Sequence, residues 1–179
     1  ELGVTTSVFP SDRVTRGFLK AQGREAGWVA LKADPSAAYD DVLDLDLASV
    51  EPMAACPHSP GNVATVASLA GRKVNQVLIG SCTNSSYRDL KTAALLLRGR
   101  RVHPDVSAGV APGSRQVVQM LAREGLIEPF ISAGVRLLEN ACGFCIGNSA
   151  SPESGGVSLR TSNRNFEGRS GTADAQVYL

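Results

Sequence analysis

The sequence predicts an α/β protein with a mostly parallel β-sheet. Four short apolar runs recur between residues 76 and 161, and helical patterns or polar loops separate them. Strands that alternate with helices of this length form βαβ units, which build parallel sheets. The predicted strands are 76–80, 106–111, 134–138 and 156–161.

Two helices are predicted among these strands. The first is expected to begin near Asn84 or Ser85, after the loop that ends the first strand, and the second at Ser114. Both helices place apolar residues at a spacing of three or four, which is typical of one buried helical face. These residues are Tyr87, Leu90, Ala94 and Leu97 in the first helix, and Val117, Val118 and Leu121 in the second.

The first fifty residues carry weaker signals. Ser11 is predicted to be the N-cap of a helix that reaches about Gln22, with Val14, Phe18 and Ala21 on one face. Residues 42–47 alternate leucine or valine with aspartate, which predicts a half-exposed strand. The proline-rich stretch 52–60 predicts an irregular link and a domain boundary, and the pattern of residues 61–73 is ambiguous.

Composition limits the class of protein. With 43% hydrophobic and 20% charged residues among 179, the chain is typical of a globular protein. The sequence has no recognisable run of transmembrane length and no recognisable signal peptide. We therefore expect no membrane partner. The expected location is the cytoplasm, or the mitochondrial matrix in a eukaryote. A net charge of +1 and 5% aromatic residues make nucleic acid an unlikely partner. Because residue 1 is glutamate and the last residues look like a strand, we expect a piece of a longer protein.

The loops that follow the predicted strands contain the candidate functional residues. In a parallel sheet all carboxyl ends lie at one edge, where ligands bind. Cys82 follows the first strand, Cys142 and Cys145 follow the third, and Arg164 and Arg169 follow the fourth. The sequence therefore predicts that three thiols and two guanidinium groups meet at one edge of the sheet.

Three converging thiols allow three uses. A [4Fe–4S] cluster held by three thiolates would leave one iron open as a Lewis acid. A structural zinc ion would need a fourth ligand, for which Cys56 or His58 is available. A redox dithiol would use the Cys142/Cys145 pair and leave Cys82 unexplained. Without Cys82, the pair could also be two buried cysteines that pack as small hydrophobic residues.

The two arginines indicate an anionic ligand. Guanidinium groups bind carboxylates in a forked geometry, so Arg164 and Arg169 beside the cysteines favour a polycarboxylate substrate over a solvated basic loop. Asn163 and Asn165 could be turn residues or hydrogen-bond partners.

Five separated motifs carry a resemblance to known proteins: residues 1–10, 79–85, 112–114, 140–147 and 162–169. They resemble the motifs of the aconitase family, in the same order along the chain. The resemblance implies a three-layer α/β/α fold of the type of that family's central domain. It also implies that residues 1–51 are the C-terminal part of a preceding α/β domain and that 52–179 form the cluster-cysteine domain.

The resemblance also implies roles for single residues. Cys82, Cys142 and Cys145 would be the three ligands of a [4Fe–4S] cluster, and Arg164 and Arg169 would hold substrate carboxylates. Glu1 matches a catalytic glutamate in the hydrogen-bond network around the reacting hydroxyl group. Cys56 has no ligand counterpart and is interpreted as structural.

The implied activity is removal and re-addition of water on a hydroxy-polycarboxylate. Residues 140–143 favour aconitate hydratase, which converts citrate to isocitrate through cis-aconitate in the tricarboxylic acid cycle. The alternatives are a 3-isopropylmalate or homocitrate dehydratase, an RNA-binding role of the cluster-free form, and a structural zinc module. The implied partners are the substrate and the remaining domains, which carry the catalytic base. The chain alone is therefore expected to be inactive and to lose its cluster to solvent and oxygen.

Overall fold

The computed structural model describes residues 4–179, and the chain divides into two compact units, Glu1–Val50 and Glu51–Leu179. The assignment of these units to a preceding domain and a cluster-cysteine domain stays a prediction. Among the described residues, no helix is both long enough and apolar enough to cross a membrane.

The first unit contains one α-helix, α1 (Arg13–Ala21). Its N-cap is Asp12 rather than the predicted Ser11, because the Asp12 carboxylate accepts hydrogen bonds from the N–H groups of Val14 and Thr15 at 2.8 and 3.1 Å. These bonds also hold the pKa of Asp12 below its ordinary value. Val14 and Phe18, predicted to share one face of this helix, are both exposed.

The predicted strand at residues 42–47 is wrong. The segment is without regular structure up to a 3₁₀ turn at Leu47–Ser49, and Leu43 is 88% exposed. Alternating polarity predicts a strand only where a neighbouring strand supplies backbone partners, and no strand of the described part of the first unit pairs with it. None of residues 4–50 is buried.

The second unit opens with an antiparallel hairpin, β1 (Met53–Ala55) and β2 (Val63–Thr65), followed by a 3₁₀ turn at Val66–Leu69. The hairpin occupies much of the stretch predicted as an irregular link. Ala55 also exchanges two backbone hydrogen bonds with Leu179, of 2.9 and 3.0 Å.

A five-stranded parallel sheet forms the centre of the second unit, which confirms the predicted α/β class. Its strand order is β5-β4-β3-β6-β7, and every neighbouring pair is parallel. The four strands and two helices predicted between residues 76 and 161 are present, with boundaries that differ by a few residues, and the last strand fits the strand-like end noted in the sequence. In chain order the elements are β3 (Gln76–Ile79), α2 (Tyr87–Leu97), β4 (Ser107–Val110), α3 (Arg115–Arg123), α4 (Glu128–Ala133), β5 (Arg136–Leu137), β6 (Val157–Arg160) and β7 (Gln176–Tyr178).

The sheet separates two apolar clusters. The larger contains residues of α2, α3 and α4 packed on β4, with Leu90, Leu121 and Phe130 almost completely buried. The smaller contains Leu78, Ala111, Phe144 and Cys145. Since successive side chains of a strand point to opposite faces, Leu78 and Ile79 contribute to different clusters. Side chains therefore pack on both faces of the sheet, which holds the carboxyl ends of its strands in place.

Candidate functional site

Hydrogen bonds connect the loops at the carboxyl edge of the sheet. Residues 80–85 follow β3 and lie between the loops that follow β4 and β6. The Ser85 hydroxyl donates to Ala111 O at 2.7 Å and accepts from Ser81 N–H at 2.7 Å. On the other side, Asn84 Nδ2 donates to Thr161 O at 2.5 Å, and Gly80 N–H donates to the Thr161 hydroxyl at 2.7 Å. The loop that carries Cys82 is thus fixed from both sides.

The loop with Cys142 is joined to the same arrangement. Asn140 Nδ2 donates to Pro112 O at 2.8 Å, which ties the loop after β5 to the loop after β4. Cys82 and Cys142 are both exposed, and both line a cavity of about 110 Å³ between these loops. The structure therefore brings together two of the three predicted thiols.

Cys145 lies deeper, in the smaller apolar cluster. It is 9% exposed and packs with Leu78, Phe144 and Ala111, and Ala111 also lines the cavity of Cys82 and Cys142. All four cysteines are free thiols. Within residues 4–179, no three cysteine, histidine or acidic side chains are gathered closely enough to hold a metal ion. Cys82 and Cys142 thus line one cavity and Cys145 packs against a residue of its wall, but the three thiols do not form a closed ligand set.

Arg169 is the cation next to these thiols. Its Nη2 lies 3.7 Å from Cys145 Sγ, while its Nε is buried and has no hydrogen-bond partner. An unpaired buried donor costs about 1–3 kcal/mol, so this position favours an anionic ligand. Arg164, the second predicted arginine, is exposed. Glu1 lies outside the described residues, and its role stays a prediction.

The thiols and the guanidinium group at this edge are chemically suited to bind an iron–sulfur cluster. Thiolates are the usual ligands of such clusters, and hydrogen bonds and positive charge near the sulfurs stabilise the anionic group. Three free thiols at one edge, with a guanidinium group beside the most buried one, meet these requirements. The assignment of the three cysteines as ligands stays a prediction.

Two further residues support the site and were not identified as functional from the sequence. Asn165, left open between a turn and a bonding role, is 1% exposed and donates to Cys56 O and Val177 O at 2.8 and 2.9 Å. Arg160, at the end of β6, is 3% exposed. Burial lowers the pKa of Arg160 to about 10, against an opposing effect of Cys145, so the side chain stays charged at neutral pH.

The sequence of the chain matches the model of a known protein family. The aconitase family, described as aconitate hydratase, matches residues 1–73 and 66–179. Because this match covers the whole chain, the chain belongs to the aconitase family.

The similar curated proteins share one description. The chain is 42% identical over its whole length to 3-isopropylmalate dehydratase large subunit 2 of Rubrobacter xylanophilus, of which it covers 42%. It is 39% identical to the 3-isopropylmalate dehydratase large subunit of Elusimicrobium minutum, and 40% identical to large subunit 2 of Archaeoglobus fulgidus, covering all of the chain and 43% of each relative. The chain thus spans less than half the length of these relatives.

Proposed function

We propose that this chain is the cluster-holding part of the large subunit of a hydro-lyase that acts on 3-isopropylmalate or a closely related hydroxy-dicarboxylate. The observation that carries the proposal is the placement of free thiols on neighbouring loops of one sheet edge, in a chain whose relatives are named 3-isopropylmalate dehydratase large subunits.

The relatives support this alternative better than the aconitate hydratase expected from residues 140–143. Three similar proteins from different organisms carry the name 3-isopropylmalate dehydratase. The expected place in the tricarboxylic acid cycle has no support from these names. The short motif around Cys142 therefore does not separate members of the family.

Each residue of the site has its own role in the proposed reaction. Cys82, Cys142 and Cys145 would hold a [4Fe–4S] cluster, which supplies a Lewis acid for the departure of hydroxide when bound. Arg169, and Arg164 from the same loop, bind the carboxylates of the substrate and so orient it. Glu1, which lies outside the described residues, keeps its predicted role as a hydrogen-bond partner of the reacting hydroxyl group. The loops tied by Ser85, Asn84 and Asn140 keep these groups in a fixed arrangement.

The names of the relatives also suggest a protein partner. Each is a large subunit, so we propose that this chain works together with a small subunit and with the further segments that its longer relatives have. These parts would supply the base that removes the proton next to the hydroxyl-bearing carbon.

Anaerobic reconstitution with ferrous iron and sulfide tests the proposal. We expect the purified chain to take up iron and sulfide in equal amounts, with a broad visible absorption band near that of iron–sulfur proteins. Cys82→Ser, Cys142→Ser and Cys145→Ser should each lose most of the iron, because each removes one of three thiolate ligands. Cys56→Ser is the matched control and should bind iron like the parent chain.

The possible outcomes are distinct. Equal iron loss in the Cys56 variant and in the other three would contradict the ligand assignment. Zinc bound in place of iron, with no visible band, would support the structural zinc module instead.

A further inference from the structure

Arg160 fastens the segment that contains Cys145 to the sheet. Its Nη1 donates to Phe144 O at 2.5 Å, and its Nη2 donates to Ala150 O at 3.2 Å. These two carbonyl groups bracket the Phe144–Ala150 segment, which includes the 3₁₀ turn Phe144–Ile146. A single guanidinium group therefore holds both ends of the loop on which Cys145 lies.

The guanidinium group is itself positioned by two strands. Its Nε donates to the Ser158 hydroxyl at 2.9 Å, and its Nη2 donates to Gln76 Oε1 at 2.9 Å. Gln76 also reaches the loop, because its Nε2 donates to Ala150 O at 3.0 Å. Ala150 has a φ of +51°, which is unfavourable for a residue other than glycine and persists where surrounding contacts determine it.

No carboxylate within residues 4–179 forms a salt bridge with this buried charge, and the hydrogen-bond acceptors of Arg160 are two carbonyl groups, a hydroxyl and an amide. Because burial of a cation is costly, these four hydrogen bonds are what hold the guanidinium group in this position. Arg160 is therefore held by directed contacts to the loop and to two strands.

We propose that Arg160 is a positioning residue for Cys145: it clamps the Phe144–Ala150 loop and so fixes the place of the thiol. The inference rests on the proposed function, because it matters for chemistry only if Cys145 binds an anionic iron–sulfur group. The clamp needs the several donor directions of a guanidinium group, which the single ammonium of lysine does not supply.

The test compares Arg160→Met and Arg160→Lys with the parent chain in two measurements. In the cluster-free chain, hydrogen exchange of the Ile146, Asn148 and Ser149 amides should become about tenfold faster in both variants, because all three N–H groups donate to the carbonyl groups of Cys142 or Gly143, directly before the clamped loop. After reconstitution, iron should be lost to a chelator about tenfold faster than from the parent chain. Exchange of the α3 amides should stay unchanged, which shows that the fold is intact.

Arg136→Met is the matched control, because Arg136 is exposed and donates to the Ser107 hydroxyl on the strand next to it. It should change neither measurement. If Arg160→Met does not fold, Arg160→Lys, which keeps the charge and most of the side chain, carries the test.

Each result decides the proposal. A loosened loop with iron retained at the parental rate would show a merely structural arginine and overturn the inference, while the proposed function would stand. Unchanged loop exchange would also overturn it. If the parent chain itself takes up no cluster, the proposed function fails first, and the inference fails with it.

Discussion

Arg169 lies beside Cys145 and has an unpaired donor that an anion could use. Its Nη2 is 3.7 Å from the sulfur, and its buried Nε has no partner within the described residues. A carboxylate that accepts from this Nε would satisfy a donor that is otherwise unpaired. The position therefore predicts more than a general electrostatic attraction, because the ligand gains a directed hydrogen bond.

We expect Arg169→Gln to weaken binding of 3-isopropylmalate to the reconstituted chain by roughly 10- to 100-fold, since a hydrogen bond to a charged group contributes about 1.5–3 kcal/mol. Isothermal titration calorimetry measures the change. Arg136→Gln, at an exposed position outside the site, is the control. Equal weakening in both variants would show that net charge, rather than this residue, governs binding.

At the scale of single residues, the sequence indicates candidate functional side chains where they recur at similar positions, directly after apolar runs. The cysteines and Arg169 could be predicted because they follow apolar runs in a defined order. Arg160 could not, because an arginine in a short strand normally marks a solvated face, and its burial depends on acceptors in Phe144 and Ala150. The partners of Asn165 are likewise distant in sequence, at Cys56 and Val177.

The turn after β3 is the element that sets the geometry of the site. Gly80 has a φ of +117°, and a Cβ atom there would lie 2.3 Å from Ala111 O and 2.6 Å from Ser85 Oγ. Glycine is thus required for two reasons, the backbone conformation and the close approach of the β4 loop. A side chain at this position would separate the loops that carry Cys82 and Pro112.

We expect Gly80→Ala to lower the free energy of unfolding by roughly 1–3 kcal/mol more than Gly99→Ala, because overpacking adds to the strain of a positive φ. Gly99 is the matched control, since its φ is +71° but no atom lies within 4 Å of a Cβ there. Urea denaturation measures both values. Equal losses would mean that the contact with Ala111 O relaxes at no cost.

Elements were predictable where local pattern and long-range packing agree. The strands of the parallel sheet are buried apolar runs, and α3 begins after Ser114, whose hydroxyl accepts from Val117 N–H at 3.2 Å. The helix α4 was not predicted, because it has only six residues and Pro129 stands at its second position. The hairpin of β1 and β2 was missed because each strand has three residues, with prolines nearby.

At the scale of the whole molecule, the described burial is concentrated in the second unit. Leu78 is completely buried there between the sheet and Phe144, whereas Leu43 in the first unit is 88% exposed. The stability of the chain should therefore depend on the sheet of residues 51–179.

We expect Leu78→Ala to lower the free energy of unfolding by about 2–5 kcal/mol, as cavity-forming substitutions in a core do. Leu43→Ala, the same change at an exposed position, should cost less than about 0.5 kcal/mol. Thermal and urea denaturation of the two variants give the comparison. A large effect of Leu43→Ala would reveal a packed environment for the first unit that its described residues do not show.

The length of β5 has a consequence for how the chain responds to warming. This strand has two residues and lies at the border of the sheet, whereas β3, which precedes Cys82, has four and is paired on both sides. Border strands open more readily than central ones. As temperature rises, the stretch leading to Cys142 should therefore come loose while Cys82 keeps its place, so that a bound metal would lose that ligand before the sheet itself melts.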